Sequence, residues 1–179
     1  MKKILFFIAT ILLVSVGSTK ASTPLYSTLI EMESPADSIR MAELDQFWVK
    51  LAKTVQEGDF EGYKALYHKD AIVVFASGKN KTSIPIGKAL SAWKKGFTDT
   101  KEGKQKDKVE FRFSQRIGSE TTAHETGIFI FSSTDNYGKV KGKYIIHFEM
   151  LLEKKENEWY ALMEYQKSEG TQEEWDALK

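Results

Sequence analysis

Apolar residues recur at helical spacing over residues 37–57, where Leu44, Phe47, Trp48, Leu51 and Val55 share one face. Ser34-Pro35-Ala36-Asp37 supplies a helix start, with proline and an acid in the first turn, and Gly58-Asp59 supplies an end. A shorter helix carries Phe60, Tyr63, Leu66 and Tyr67 on one side. Residues 70–77 read as a strand, apolar on both faces through Ala71-Ile72-Val73-Val74-Phe75, and Gly78-Lys79-Asn80-Lys81 turns the chain. Ile86, Ala89, Leu90, Trp93 and Phe97 mark a third amphipathic helix over about 86–98. The period then changes from 3.6 to 2. Val109, Phe111 and Phe113 alternate with Glu110, Arg112 and Ser114, a partner strand runs over 121–131, and longer strands follow at 140–154 and 158–167. Residues 171–178 end the chain as a short helix. Helices followed by antiparallel strands predict an α+β fold.

Turns set register, and register sets which side chains share a face. A hairpin turn at Gly118-Ser119 places Ile117 opposite Glu120, Phe113 opposite His124, Phe111 opposite Thr126 and Val109 opposite Ile128, with Arg112 facing Glu125 on the other side. A turn at Glu156-Asn157 places Phe148 opposite Tyr165, Met150 opposite Met163 and Leu152 opposite Ala161. One face is then apolar and receives the helices. The reverse face is mixed, pairing Glu149 with Glu164 and His147 with Gln166, and suits a dimer contact.

The N-terminus changes the picture of where the domain works. Lys2 and Lys3 precede an apolar run over residues 4–16, and Thr19-Lys20-Ala21 fits a cleavage site, so residues 1–21 read as a signal peptide. The run is short for a membrane span, which takes about 20 residues. Residues 22–36 read as a polar leader, 37–170 as the folded domain and 171–179 as its tail. Cleavage after Ala21 removes three lysines and takes the formal charge from +1 to −2. Such a balance has no basic excess for nucleic acid, and no membrane association is expected after cleavage. Residues 101–108 mix lysines with Glu102 and Asp107 and read as a solvated loop. The chain has no cysteine, which excludes disulfides and thiolate metal sites. Asn80-Lys81-Thr82 matches a glycosylation acceptor, to which the bacterial look of the signal gives little weight.

Three histidines, His68, His124 and His147, are widely spaced and form no metal signature, so no metal is expected, and no glycine-rich phosphate loop or nucleophile elbow occurs. In the register above, His124 lies on the helix-facing side. There it acts either as a general base or as a core histidine with satisfied nitrogens. Glu149 and Glu164, if opposed, form either a proton-sharing pair or part of a solvated face.

The order of motifs resembles the nuclear transport factor 2-like superfamily, and within it the SnoaL-like group, over residues 40–168. Phe47-Trp48 in the early helix and the Gly58-Asp59 ending come first, then Leu66-Tyr67-His68-Lys69-Asp70-Ala71 at the opening of the first strand. Pro85-Ile86-Gly87-Lys88-Ala89, the Ala123 and Gly127 spacing and Glu158-Trp159 follow. The resemblance implies a cone: a strongly curved antiparallel sheet around three N-terminal helices, often with a cavity, and homodimers through the sheet. Its members include isomerases, dehydratases, epoxide hydrolases and non-catalytic binding domains, so fold alone does not assign activity. The enzymatic branches place polar groups inside the cone. The inferred inner face here holds no Asp and no buried Asp-Arg-Asp set.

The expectation is an exported, dimeric domain that binds a small apolar or amphipathic molecule without a cofactor. Its contacts would come from Trp48, Trp93, Phe113, Tyr144, Phe148 and Met163. The enzymatic alternative is a lyase or isomerase with His124 as base and Tyr165 as hydrogen-bond donor. The third alternative is an assembly domain acting through the outer sheet face.

Overall fold

The computed structural model describes residues 35–79 and 81–178. The signal peptide, all of the leader except its last two residues, and Asn80 of the glycosylation acceptor lie outside the described residues. Helix α1 (Pro35–Glu57) buries the five apolar residues that its spacing puts on one face, and Arg40 pairs with Asp37 in its first turns. Gly58 ends it at φ +67°, and a Cβ there would stand 2.4 Å from the backbone nitrogen of Lys101. Only glycine accepts both the dihedral and the approach. Helix α2 (Phe60–Ala65) starts at Asp59, whose carboxylate accepts from the Gly62 amide.

Strand β1 (Tyr67–Phe75) and the short β2 (Thr82–Pro85) lead into α3 (Ile86–Lys101). Four long strands follow: β3 (Gln105–Gly118), β4 (Thr122–Asp135), β5 (Val140–Lys155) and β6 (Glu158–Glu169). Helix α4 (Gln172–Ala177) closes the described chain behind a capping box of Thr171 and Glu174. The strands form one sheet in the order β2-β1-β6-β5-β4-β3. All neighbours are antiparallel except β1 beside β6, which run parallel, so the sheet is mixed. The four residues of β2 are too few to show a strand pattern, and its pairing with β1 makes it a strand.

Two irregularities correct the expected faces. The first hairpin turns at Glu120-Thr121, with the Ser119 amide donating to the Thr122 carbonyl at 2.8 Å. Gly118 pairs with Ala123, Ile117 with His124 and Arg116 with Glu125. The ladder then slips between Phe113 and Gln115, so Phe113 faces Gly127, Phe111 faces Phe129 and Val109 faces Phe131. A bulge at one residue flips every later side chain to the other face. His124, Thr126 and Ile128 therefore lie outside, and Glu125, Phe129 and Phe131 inside.

The second hairpin follows its expected register from Lys155 back to Leu152, which pairs with Ala161. Another slip then sets Leu151 opposite Met163, Met150 opposite Glu164, Glu149 opposite Tyr165 and Phe148 opposite Gln166, while His147 faces Ser168. Glu149 and Glu164 are thus on opposite faces, and Tyr165 and Met163 point outward.

Trp48 anchors the core between α1 and the sheet, with its ring 4.5 Å from Phe111, 5.2 Å from Phe113 and 5.5 Å from Phe148 between centroids. Its indole N–H donates to Glu125 at 2.5 Å, and Arg116 brackets the same carboxylate and reaches Asp45. On the outer face, Trp175 of α4 covers Ile128 and Ile130. Arg112 stacks on that ring at 4.5 Å and donates to the Trp175 and Leu178 carbonyls.

Candidate functional site

Between the helices and the inner sheet face lies a pocket of about 690 Å³. This volume falls within the range of small-molecule sites, roughly 300–1,000 Å³. Leu51 and Val55 of α1 and Tyr63 of α2 form one wall, with Trp93 and Phe97 of α3 beside them. The sheet supplies Phe111, Phe129, Phe131, Ile146, Phe148 and Met150. Tyr144, 58% exposed, and the exposed Lys141 stand at the open side. The aromatic groups brace one another: Tyr63 packs on Trp93 and Phe97, and Phe131 stacks on Tyr144.

Two polar clusters interrupt this lining. In the first, the Tyr67 hydroxyl donates to Glu164 Oε2 at 2.5 Å, and the Gln166 amide donates to Oε1 at 2.7 Å. The Tyr63 hydroxyl lies 3.0 Å from that of Tyr67. Burial raises the Glu164 carboxyl above the usual carboxylate range, against the two hydrogen bonds that pull it down. Burial and the neighbouring Glu164 also raise both tyrosines, so they remain protonated donors.

The second cluster opens β3. The Gln105 amide donates to Asp107 Oδ2 at 2.8 Å, and its carbonyl accepts from Lys141 Nζ at 2.5 Å. Gln105 and Asp107 are both buried and border the pocket, with Ser133. These residues correct the reading of 101–108 as a loop. They also correct the expectation of an inner face without Asp. Their signal was present: positions 105, 107, 109, 111 and 113 continue one alternation, but charge in the segment masked its first half.

Of the sequence-predicted contacts, Trp93, Tyr144 and Phe148 border the pocket. Trp48 and Phe113 stand behind that lining as core. Met163 is on the outer face with His124 and Tyr165. His124 Nε2 lies 3.1 Å from Glu149, which also pairs with Lys167 at 2.6 Å. The structure therefore does not bring His124 and Tyr165 into the pocket, and the register slips are the reason.

No protein-family model and no curated protein matches the chain. Solved structures do match. An NTF-2-like protein of unknown function from Shewanella oneidensis is 19% identical, aligns over 73% of this chain and 99% of its own, and gives a TM-score of 0.56. Aln2 from a Streptomyces species is 14% identical over 74% and 90% of the two chains, with a TM-score of 0.58. A ketosteroid isomerase-like protein from Erwinia carotovora atroseptica is 12% identical over 74% and 97%, with a TM-score of 0.52. Helices leading into a long-stranded sheet match these neighbours in architecture: the chain has the nuclear transport factor 2-like fold.

Proposed function

We propose that this domain binds a small amphipathic molecule in the pocket between its helices and its sheet. The observation that carries the reading is an aromatic cavity of about 690 Å³ with two separate polar clusters. Apolar walls supply affinity, and the few polar groups supply orientation. N-phenyl-1-naphthylamine, a neutral apolar probe, should bind one to one and quench Trp93. In Trp93→Phe the quench should shrink while the probe's own fluorescence still reports binding. Absence of binding at millimolar probe would overturn the reading.

The enzymatic alternative moves from His124 to Glu164. A buried carboxyl with a raised pKa inside a pocket is suited to proton transfer, with the tyrosines as neighbouring donors. Proton exchange at the carbon beside the carbonyl of 3-cyclohexenone, followed by NMR, tests this. Equal rates in wild type and Glu164→Gln would exclude it.

We also propose export through the signal segment and pairing of two copies through the outer sheet face. Ile72, Met163, Leu151, His124 and Ile117 form one row across five strands of that face. Ile72, Leu151 and Ile117 are exposed. A mostly apolar row of this kind, interrupted by His124, fits a self-complementary contact. Mature protein beginning at Ser22 would support export, and an intact Met1 on exported material would refute cleavage.

A further inference from the structure

The two polar clusters differ in what they leave unsatisfied. Each oxygen of Glu164 already accepts a hydrogen bond. Asp107 Oδ2 accepts from Gln105, but Oδ1 is buried with no hydrogen-bond partner among the described residues. A buried carboxylate oxygen without a donor is unusual and costly. Gln105 does not supply the second bond: its amide donates to Asp107 Oδ2 and to the Gly96 carbonyl, and its own carbonyl is held by Lys141.

The surroundings of Asp107 specify what would complement it. Its cross-strand row runs through Ser133 to Gly142, and the neighbouring row holds Val109, Phe131 and Tyr144. Gly142 has no side chain to fill the space, and the Tyr144 ring lies across it, 3.1 Å from where a Cβ would stand. The Phe131 and Tyr144 rings stack with an interplanar angle of 29°. Aromatic faces beside a carboxylate attract organic cations. The pocket lining holds two carboxyl groups, Asp107 and Glu164, against one cationic side chain among the described residues, Lys141. That lysine is exposed, and its Nζ is engaged by Gln105.

We propose that the pocket selects ligands carrying a primary or secondary ammonium group, held between the Asp107 carboxylate and the Phe131–Tyr144 ring pair, with the apolar body along the inner wall. This rests on the reading that the pocket binds small molecules and adds the class of molecule. Carboxylic acids of the same size are disfavoured, because their charge would face the Asp107 carboxylate.

Isothermal titration at pH 7 with three probes of one carbon skeleton tests the selection: 4-phenylbutylamine, 4-phenylbutan-1-ol and 4-phenylbutanoate. The amine should bind about tenfold or more tightly than the alcohol, and the carboxylate more weakly than both. In Asp107→Asn the amine-to-alcohol ratio should fall to near one. In Tyr144→Leu, which leaves the carboxylate in place, it should fall severalfold. Binding of the alcohol with no amine preference would overturn the ammonium assignment while leaving the pocket reading intact. Binding of none of the three would overturn both. An amine preference unchanged in Asp107→Asn would place the cation elsewhere and refute the role given to Asp107.

Discussion

Glu164 shows how one residue couples the pocket to stability. Its carboxyl is raised in the folded state by burial, so ionising it destabilises the fold. The contribution of this group to wild-type stability should fall as pH rises from its unfolded value of about 4.5 through its folded value. Glu164→Gln removes that titration. The stability of the variant relative to wild type, from urea melts, should therefore grow between pH 4 and pH 8, and a flat difference would refute the assignment. Trp48 makes a second test. Trp48→Phe removes the indole hydrogen bond to the buried Glu125, whose Oε2 keeps Arg116 Nη2 at 3.2 Å, so the cost is that of one hydrogen bond to a charged group, about 1.5–3 kcal/mol. The smaller ring adds to this loss. Urea denaturation should show it without any change in the alcohol-probe stoichiometry.

Elements differ in how far the sequence revealed them. The face of α1 was readable because five large apolar residues keep a period of 3.6, and the structure buries all five. The turn at Glu156-Asn157 was readable too. Both residues take positive φ, 51° and 67°, at a position bounded by alternating strands. The bulges were not readable. The slips near Ser114 and Leu162 leave no mark in composition, since either neighbour of a bulge can be polar or apolar. That is why His124, Tyr165 and Met163 were expected inside and Glu125 and Glu164 outside. The candidate site suffered more than the fold, because an element survives a one-residue error and a face does not. Helix α4 offers a test at this scale. Its hold on the sheet rests on Trp175, on Arg112 and on the His147–Glu174 pair at 3.3 Å. Trp175→Ala should free residues 171–178 to exchange their amide hydrogens rapidly while β3 and β4 keep their protection. Equal protection in both forms would show that the ring does not anchor the helix.

At the scale of the molecule, the sheet separates two chemistries. Its inner face holds the pocket, and its outer face holds the mostly apolar row from Ile72 to Ile117, which meets the His124–Glu149–Lys167 cluster at His124. If copies pair through that row, Leu151→Lys should shift sedimentation from dimer to monomer. The same variant should leave amine binding unchanged, because Leu151 faces away from the pocket. Glu149 is held below the usual carboxylate range by Lys167 first and His124 second, and its small contribution to stability fades as pH falls through its folded value.

The bulges that misled the face assignment have an evolutionary consequence. Losing or gaining a single codon within β3 or β6 would exchange alternate residues between the interior and the surface, without a single substitution. A carboxylate such as Glu164 would leave the pocket, and a phenol such as Tyr165 would enter it. Lineages sharing this scaffold can thus acquire new interior chemistry by a frame-preserving insertion or deletion, and relatives aligned without gaps would look unrelated in the residues that matter most.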